Sequence, residues 1–389
     1  GRLIQSIDAA GGTTQIAYDL ADRPIRVSDP RNLVTTYEFD GFGQMWKQVS
    51  PDTGTTQHQY DAAGLRTSTA RADGSVVSFG YDGLGRMTSA SAEGRTMGYS
   101  YDWCGNGKGQ LCGTSGPGTA THFAYTPNGQ LQIRRDFTDL SGQKTDYSTT
   151  YGYDGINRLS QITYPNGDKA TYTYGSQGKP SALMATVDGT QRSIISQANW
   201  KVTGAHEWLA YGNGLARGYN HDQEGRLTAM SVWGPNGSKV SYWDYQYSGD
   251  GEITAIVDAV DPNMTQLIGY DALSRMTKLT RFGVINNLSY DAGGNHDRYQ
   301  AGNQLTQYSI DPGSNRVLNY TNQDGSRQYQ YDALGNRISE TAGSRISTYE
   351  YDAFNRMSRS NIGGTATDYV LNAQGQRVAK VNKNINSRY

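Results

Sequence analysis

Three groups of residues have types and spacings that could do chemistry. The first is a pair of cysteines, Cys104 and Cys112, bracketing the loop Gly105-Asn106-Gly107-Lys108-Gly109-Gln110-Leu111. The pair leaves two readings open: a disulfide across a hairpin, if the Cβ atoms face each other, or two free, half-buried thiols. A tetrahedral metal site would need two more ligands, and the nearest histidine, His122, stands alone. The second group is a series of arginines, Arg23, Arg86, Arg158, Arg275 and Arg356, each five residues after an aromatic. They read as a cationic stripe for an acidic guest, or as partners of nearby carboxylates and rings. With 35 basic and 36 acidic residues in the chain, the second reading is favoured. The third group is a cluster of tryptophans, Trp200, Trp208, Trp233 and Trp243, in a less regular stretch between residues 175 and 250. Such a cluster offers a platform for a sugar or a partner, but more often fills a seam in an imperfect repeat.

No set of residues stands out as catalytic. The five histidines, His58, His122, His206, His221 and His296, lack ligand spacing. There is no Gly-x-Ser-x-Gly elbow, phosphate-cradling Gly-Lys loop or His-Glu-x-x-His. Ser248-Gly249-Asp250-Gly251-Glu252 is too short for a calcium loop. Carboxylates are plentiful, yet nothing selects one pair for glycoside hydrolysis. The chain is therefore expected to be no enzyme and to bind no cofactor. A net charge of -1 lacks the footprint of a nucleic-acid binder. The longest apolar runs are a few residues, so no membrane-inserting span is expected. The chain does not begin with Met and reads as a piece of a larger protein.

The elements that must position these residues follow from a repeat. Aromatic-Asp steps occur at Tyr18-Asp19, Phe39-Asp40, Tyr60-Asp61, Tyr81-Asp82 and Tyr101-Asp102, spaced 21, 21, 21 and 20 residues apart. They return at Tyr153-Asp154, Tyr270-Asp271, Tyr290-Asp291, Tyr331-Asp332 and Tyr351-Asp352, with degenerate copies at Tyr125, Tyr174, Tyr219, Tyr247, Ile310 and Tyr369. One more degenerate copy is expected near Trp200. At this period residues 1–389 form one array of about 18 units of about 21 residues.

The unit explains itself chemically. In Tyr81-Asp82-Gly83-Leu84-Gly85-Arg86, the Asp suits the first position of a type I turn, because its carboxylate accepts nearby backbone N–H groups. The fourth turn position needs a positive φ, which Gly85 supplies. The same position holds Gly43, Gly64, Gly105, Gly129, Gly251, Gly294 and Gly335, or Asp22, Asn157 and Asn355. Asp73-Gly74, Asn166-Gly167, Asp188-Gly189, Asn236-Gly237 and Asp324-Gly325 read as two-residue turns between copies. Each unit is then strand, turn, strand, turn. Pairs such as Tyr99/Tyr101 and Tyr349/Tyr351 share one sheet face. No helix is expected. Leu, Ile, Val and Phe make up less than a fifth of the chain, while Tyr numbers 29 and Gly 48. That balance suits a wide sheet, polar on both sides, rather than a packed core.

Some 36 strands of antiparallel meander would make a ribbon of about 170 Å along its hydrogen-bonding direction, too wide to stay flat. Closed into one ring, it would measure about 50 Å across. A β-propeller needs about twice this period, so a continuous curling sheet is the better reading.

Tyr81-Asp82-Gly83-Leu84-Gly85-Arg86-Met87, Tyr331-Asp332-Ala333-Leu334-Gly335-Asn336-Arg337-Ile338 and Tyr211-Gly212-Asn213-Gly214-Leu215 resemble the YD-repeat, or RHS, family along the whole chain. The resemblance implies an all-β antiparallel sheet spiralling into the wall of a hollow shell. In bacterial members the shell encloses a C-terminal toxin domain until delivery, in type VI effectors or insecticidal toxin complexes. It further implies secretion or delivery from the bacterium that makes it. The implied partners are the remainder of the shell, the toxin, and spike or chaperone proteins. In animal teneurins a similar shell serves adhesion, so an adhesive or cell-wall carbohydrate-binding array is the alternative. Bacterial shells end in Asp-Pro-x-Gly motifs and an Asp-dependent self-cleavage site. Asp29-Pro30, Asp261-Pro262 and Asp311-Pro312 do not continue in that pattern. Gly1-Arg2-Leu3 and Tyr389 read as repeat pieces, so no cap, cleavage site or toxin is expected within the chain. Unpaired strand edges at its ends are expected to promote self-association.

Overall fold

The computed structural model describes residues 1–140, 142–382 and 386–388. Among them are 36 β-strands, numbered in chain order from β1 (Gln5–Ile7) to β36 (Asn386–Arg388), and a single 3-10 turn, Pro262–Met264. That turn is the one helical element, where none was expected; Asp261 caps it and Pro262 opens it. Each strand pairs antiparallel with the next in sequence, and every described strand pairing joins sequence neighbours. Tyr389 lies outside the described residues.

Local chemistry accounts for the hairpins. In the unit at Tyr81, the Asp82 N–H donates to the Arg86 carbonyl (3.0 Å) and the Gly85 N–H to the Asp82 carbonyl (2.9 Å). Gly85 has φ +75°, as its turn position requires. The extra residue shifts the register by one at Tyr81, which faces Met87. The same shift marks Tyr18, Phe39, Tyr60, Tyr101, Tyr153, Tyr270, Tyr290, Tyr331 and Tyr351.

Several turns differ from expectation. Asp73-Gly74, Asn166-Gly167 and Asn236-Gly237 close three-residue turns, with Gly74, Gly167 and Gly237 donating to Arg71, Tyr164 and Gly234. Asx-Gly fits the last two positions of that turn as readily as a two-residue link. Gly325 lies in a strand opposite Asn322, so the link there is Gln323-Asp324. Asp188-Gly189 is a two-residue turn (φ 50° and 75°), and so are Glu93-Gly94 and Phe282-Gly283, which the sequence reading missed. Gly105 is not the left-handed residue of its turn. That connection is lengthened by the cysteine loop, and Asp102, Asn106 and Gly109 carry the positive φ values. Two copies were placed two residues early. Strand β20 (Ala216–His221) ends at His221, not Tyr219, and β34 (Thr365–Leu371) ends at Leu371, not Tyr369.

The two sheet faces differ, where both were expected to be polar. The face bearing Tyr60, Phe79, Tyr99, Tyr101, Tyr349 and Tyr351 is half-buried, and Gln57, Gln59, Ser78, Ser100 and Glu350 stand exposed on the other.

The ribbon does not close into a single ring. It winds over itself. The Arg31 turn after β3 (Pro24–Ser28) bonds to the Asp311 turn after β28 (Gln304–Ile310), and the Arg71 turn after β7 (Arg66–Ala70) bonds to the Ala353 turn after β32 (Arg345–Tyr351). One turn of the spiral therefore takes about 25 strands, or about 120 Å at ~4.8 Å each. The winding is then about 38 Å across for upright strands and about 50 Å at a tilt near 40°. At the seam, the aromatic-Asp turns of the later coil abut the inter-repeat turns of the earlier one. A small apolar core straddles it: Val77, Ala90 and Ala92 with Phe79 from one coil, Ala353 and Phe354 from the next.

Gly335 has φ +85°, and a Cβ there would stand 2.7 Å from the Asp52 carbonyl of the neighbouring coil. Gly85 shares the conformation but would meet only Leu65, at 3.8 Å. Gly335→Ala is therefore expected to destabilise by more than Gly85→Ala, whose cost is about 1–2 kcal/mol for left-handed backbone. Equal losses in thermal melts of the two variants would contradict the close approach of the coils.

Candidate functional site

The repeat turn is where the polar chemistry of the chain concentrates. Asp82 Oδ1 accepts the N–H groups of Leu84 (3.0 Å) and Arg86 (2.9 Å), and Oδ2 accepts Arg86 Nε (2.7 Å). Asp19/Arg23, Asp154/Arg158, Asp271/Arg275 and Asp352/Arg356 repeat the arrangement. So does Asp222/Arg226, which the sequence reading missed because it placed that copy at Tyr219. Where Asn replaces Arg, as at Asn336, its amide bonds Asp332 Oδ2 at 2.9 Å.

Each arginine also reaches the next copy. Arg86 lies over the Tyr101 ring at 4.4 Å, Arg158 over Tyr174 at 4.2 Å and Arg275 over Tyr290 at 4.7 Å. Arg23 donates to the Asp40 carbonyl (3.1 Å) and Arg356 to the Asn372 carbonyl (2.8 Å). These guanidiniums are spoken for by carboxylates, carbonyls and rings, so they form no open cationic stripe.

The tyrosines complete the pattern. Main-chain pairing between β9 (Met87–Ala92) and β10 (Arg95–Tyr101) stops at Ser89–Gly98, and the Tyr101 hydroxyl donates to the Met87 carbonyl at 2.9 Å. Equivalent bonds join Tyr60 to Met45, Tyr81 to Arg66, Tyr153 to Leu131, Tyr270 to Ile253, Tyr331 to Val317 and Tyr351 to Arg337. In the degenerate unit, Trp200 takes over the role, its indole N–H donating to the Pro180 carbonyl at 2.7 Å.

The other candidates are local. Cys104 and Cys112 form a disulfide, with Cα atoms 5.4 Å apart and Cys112 fully buried. Gly107 is required beneath it, because a Cβ there would sit 2.2 Å from Cys104 Sγ. The tryptophans make no common platform: Trp243 donates to Asp258 (2.7 Å) and Trp233 to Ser231 (2.9 Å). Trp200 borders a cavity of about 340 Å³ with Lys179, Gln177 and Glu207. Its ring is packed by His206 at 3.8 Å and the Lys179 ammonium at 5.7 Å, which leaves little bare face for a sugar. Among the described residues no group of three or more His, Cys, Asp or Glu is placed to hold a metal.

The turn electrostatics follow. The Arg86 guanidinium first, then the Gly109 N–H, hold the Asp102 carboxyl down to about 2. The Arg86 N–H chiefly, against the opposing cost of burial, lowers Asp82; the Arg23 and Arg158 N–H groups do the same for Asp19 and Asp154.

A wound ribbon of hairpins, bound copy to copy by turn residues, defines a repeat protein with a shell-like fold. The RHS repeat model matches residues 18–56, 60–97 and 153–191, three stretches that support an RHS/YD-repeat family. It is similar to the tRNA3(Ser)-specific nuclease WapA of Bacillus spizizenii, with 23% identity over 56% of this chain and 9% of the relative. It is also similar to the tRNA nuclease WapA of Bacillus subtilis, with 24% identity over 52% of this chain and 8% of the relative. The matched stretch thus spans less than a tenth of the length of these curated relatives. In fold it is similar to a chain of the Photorhabdus luminescens Tc holotoxin pore (TM-score 0.85, 16% identity, 97% of this chain and 22% of that one). A TcdB2-TccC3 structure without the hypervariable C-terminal region gives TM-score 0.86 and 17% identity over 98% of this chain and 23% of that one.

Two outcomes follow. Tyr101→Phe should lower stability by about 1 kcal/mol, because the Met87 carbonyl loses its partner; an unchanged melt would remove the hydroxyl from the list of stabilising bonds. The second concerns acid. A carboxylate whose folded pKa is depressed contributes fully above its unfolded value, 3.8 here, and loses that contribution as pH falls through the folded value, about 2 for Asp102. Tryptophan fluorescence should therefore report loss of structure mainly between about pH 4 and pH 2. Complete unfolding above pH 5 would show that other groups govern acid stability.

Proposed function

We propose that this chain is a stretch of wall in a hollow shell that encloses a toxin domain carried C-terminal to it, for delivery outside a bacterial cell. The observation that carries the reading is the winding: the ribbon returns over itself after about 25 strands, with its turns in register across the seam. A bore some 38–50 Å across between strand centres accommodates about one small domain, whose radius of gyration is about 13 Å at 100 residues. The likeness of fold to chains in Tc toxin structures supports the same reading, as does the similarity to two tRNA nucleases matched over only a small part of their length. On this reading the toxic chemistry belongs to the guest, and the wall turns over no substrate, takes no cofactor, and neither binds nucleic acid nor inserts into a membrane. An adhesive or carbohydrate-binding array is disfavoured by the covered ring of Trp200 and the local pairing of Trp233 and Trp243.

The isolated chain, incubated with tRNA, with chromogenic glycosides and with peptide esters, should release no product. Toxicity in a bacterial host should appear only when a C-terminal domain is supplied with it. Turnover abolished by a point substitution within residues 1–389 would overturn the wall reading.

A further inference from the structure

The sheet has two kinds of bond. Along the ribbon every strand is laddered to the next by backbone hydrogen bonds. Across the seam between coils no backbone–backbone hydrogen bond joins described residues, and closure rests on side chains. The densest such contact joins two of the Asp-Pro turns, those of Asp29-Pro30 and Asp311-Pro312.

On the earlier coil, Asp29-Pro30-Arg31-Asn32-Leu33 projects Arg31. Its Nη2 donates to the Asp311 carbonyl (2.7 Å), and its Nη1 to the Ser314 carbonyl (2.7 Å) and Asn315 Oδ1 (3.0 Å). Its Nε stands 3.2 Å from Asp291 Oδ2, and the arginine side chain is only 13% exposed. In the next inter-repeat turn, the Asp52 carboxylate accepts the Asn315 N–H (2.7 Å) and side-chain amide (3.2 Å), and its carbonyl accepts Arg316 Nη2. Asn295 ties Asn315 to Asp291 on the later coil.

The later coil is shaped for this. An ordinary repeat turn closes with the Asp N–H on the carbonyl four residues on, as Asp82 does on Arg86. Asp311 closes on Arg316, five residues on. The extra residue places Ser314, buried at 2% exposure, with its carbonyl toward Arg31. A planar guanidinium serves three acceptors here while facing a carboxylate, a geometry that a lysine ammonium cannot reproduce.

We propose that Arg31, Asp52 and Asn315 form a latch that holds one coil of the wall on the next, and that its release parts the seam locally while the strand ladder stays intact. Parting breaks side-chain bonds only, so the opening is sub-global rather than an unfolding. Its use as a route for a guest rests on the enclosing reading, but the seam can be measured without a guest, so the two fail separately.

The test is hydrogen exchange by mass spectrometry on the whole chain and on Arg31→Ala, Asp52→Ala, Asn315→Ala and Arg31→Lys, with Arg158→Ala as a control remote from the seam. Peptides spanning 29–33, 50–54 and 311–316 should exchange on the order of ten-fold faster or more in the first three variants, the ratio expected for loss of a hydrogen bond to a charged group. Strand peptides from 143–174 should keep their protection. Arg31→Lys should behave like Arg31→Ala, and Arg158→Ala should leave the seam unchanged. Wild-type protection at the seam in the folded variants would overturn the latch. So would loosening of the strand peptides in parallel with the seam, which would make coil and ladder one cooperative unit. If Arg31→Ala does not fold, Asn315→Ala decides, since it leaves the Arg31 bonds to both turn carbonyls in place.

Discussion

The structure depends on one recurring bond, from the tyrosine hydroxyl of each copy to a carbonyl of the copy before it. The three-residue turn with its left-handed glycine forces a register shift at the aromatic. Past that shift the main chains of successive hairpins no longer pair, and a carbonyl such as that of Met87 has no main-chain partner across the ladder. Tyr101 supplies the donor, and Arg86 covers its ring while holding the Asp82 carboxylate of its own turn. Asp, Gly, Arg and Tyr are thus one device, in which each residue answers a need that another creates. Copies without the tyrosine keep part of the device. Trp200 keeps the donor with an indole N–H, whereas Phe39 keeps the ring beneath Arg23 without a donor.

This arrangement explains how a chain poor in aliphatic residues holds a sheet of 36 strands. Buried apolar side chains are few and mostly small, Ala90, Ala92, Ala229, Ala255 and Ala379 among them. Stability is instead distributed as nearest-neighbour terms, copy on copy, in the manner of one-dimensional arrays. The half-buried aromatic face and the exposed polar face divide the work. One face carries the packing and the other meets solvent.

The period, the all-β class and the turn were legible in the sequence because they are local. Asp82 and Gly85 lie within four residues of each other, and their types state the turn. Errors arose where the ladder decided what the letters left open. Asx-Gly at Asn166-Gly167 is compatible with two turn lengths, and only the pairing of the flanking strands selects one. Tyr219 was chosen over His221 because the rule sought an aromatic before the turn, although the position tolerates His, Leu371 and Ile310. The cysteine loop hid its left-handed residues, since seven residues between Asp102 and Gln110 admit several paths. The seam was not legible at all. Arg31 and Ser314 are 283 residues apart, and the winding that joins them depends on the accumulated twist and tilt of the strands rather than on any single motif.

That difference in origin carries a physical consequence. The ladder is specified redundantly, with the same letters written at every copy, so a lapse such as Leu371 is absorbed by its neighbours. The seam has no such redundancy. Around Arg31 and Asp52 it is polar and directional, around Val77, Ala92 and Phe354 it is apolar and tolerant, and at Tyr99 it is a single bond to the Ala373 carbonyl. A cylinder of this kind resists stretching around its circumference, where the backbone ladder runs, far more than parting between coils, where no backbone–backbone hydrogen bond joins described residues. Mechanical weakness is therefore helical, following the line of turns. Its strength varies along that line with the few residues that leave the repeat's consensus, which is why those departures carry more information about the wall than the consensus itself.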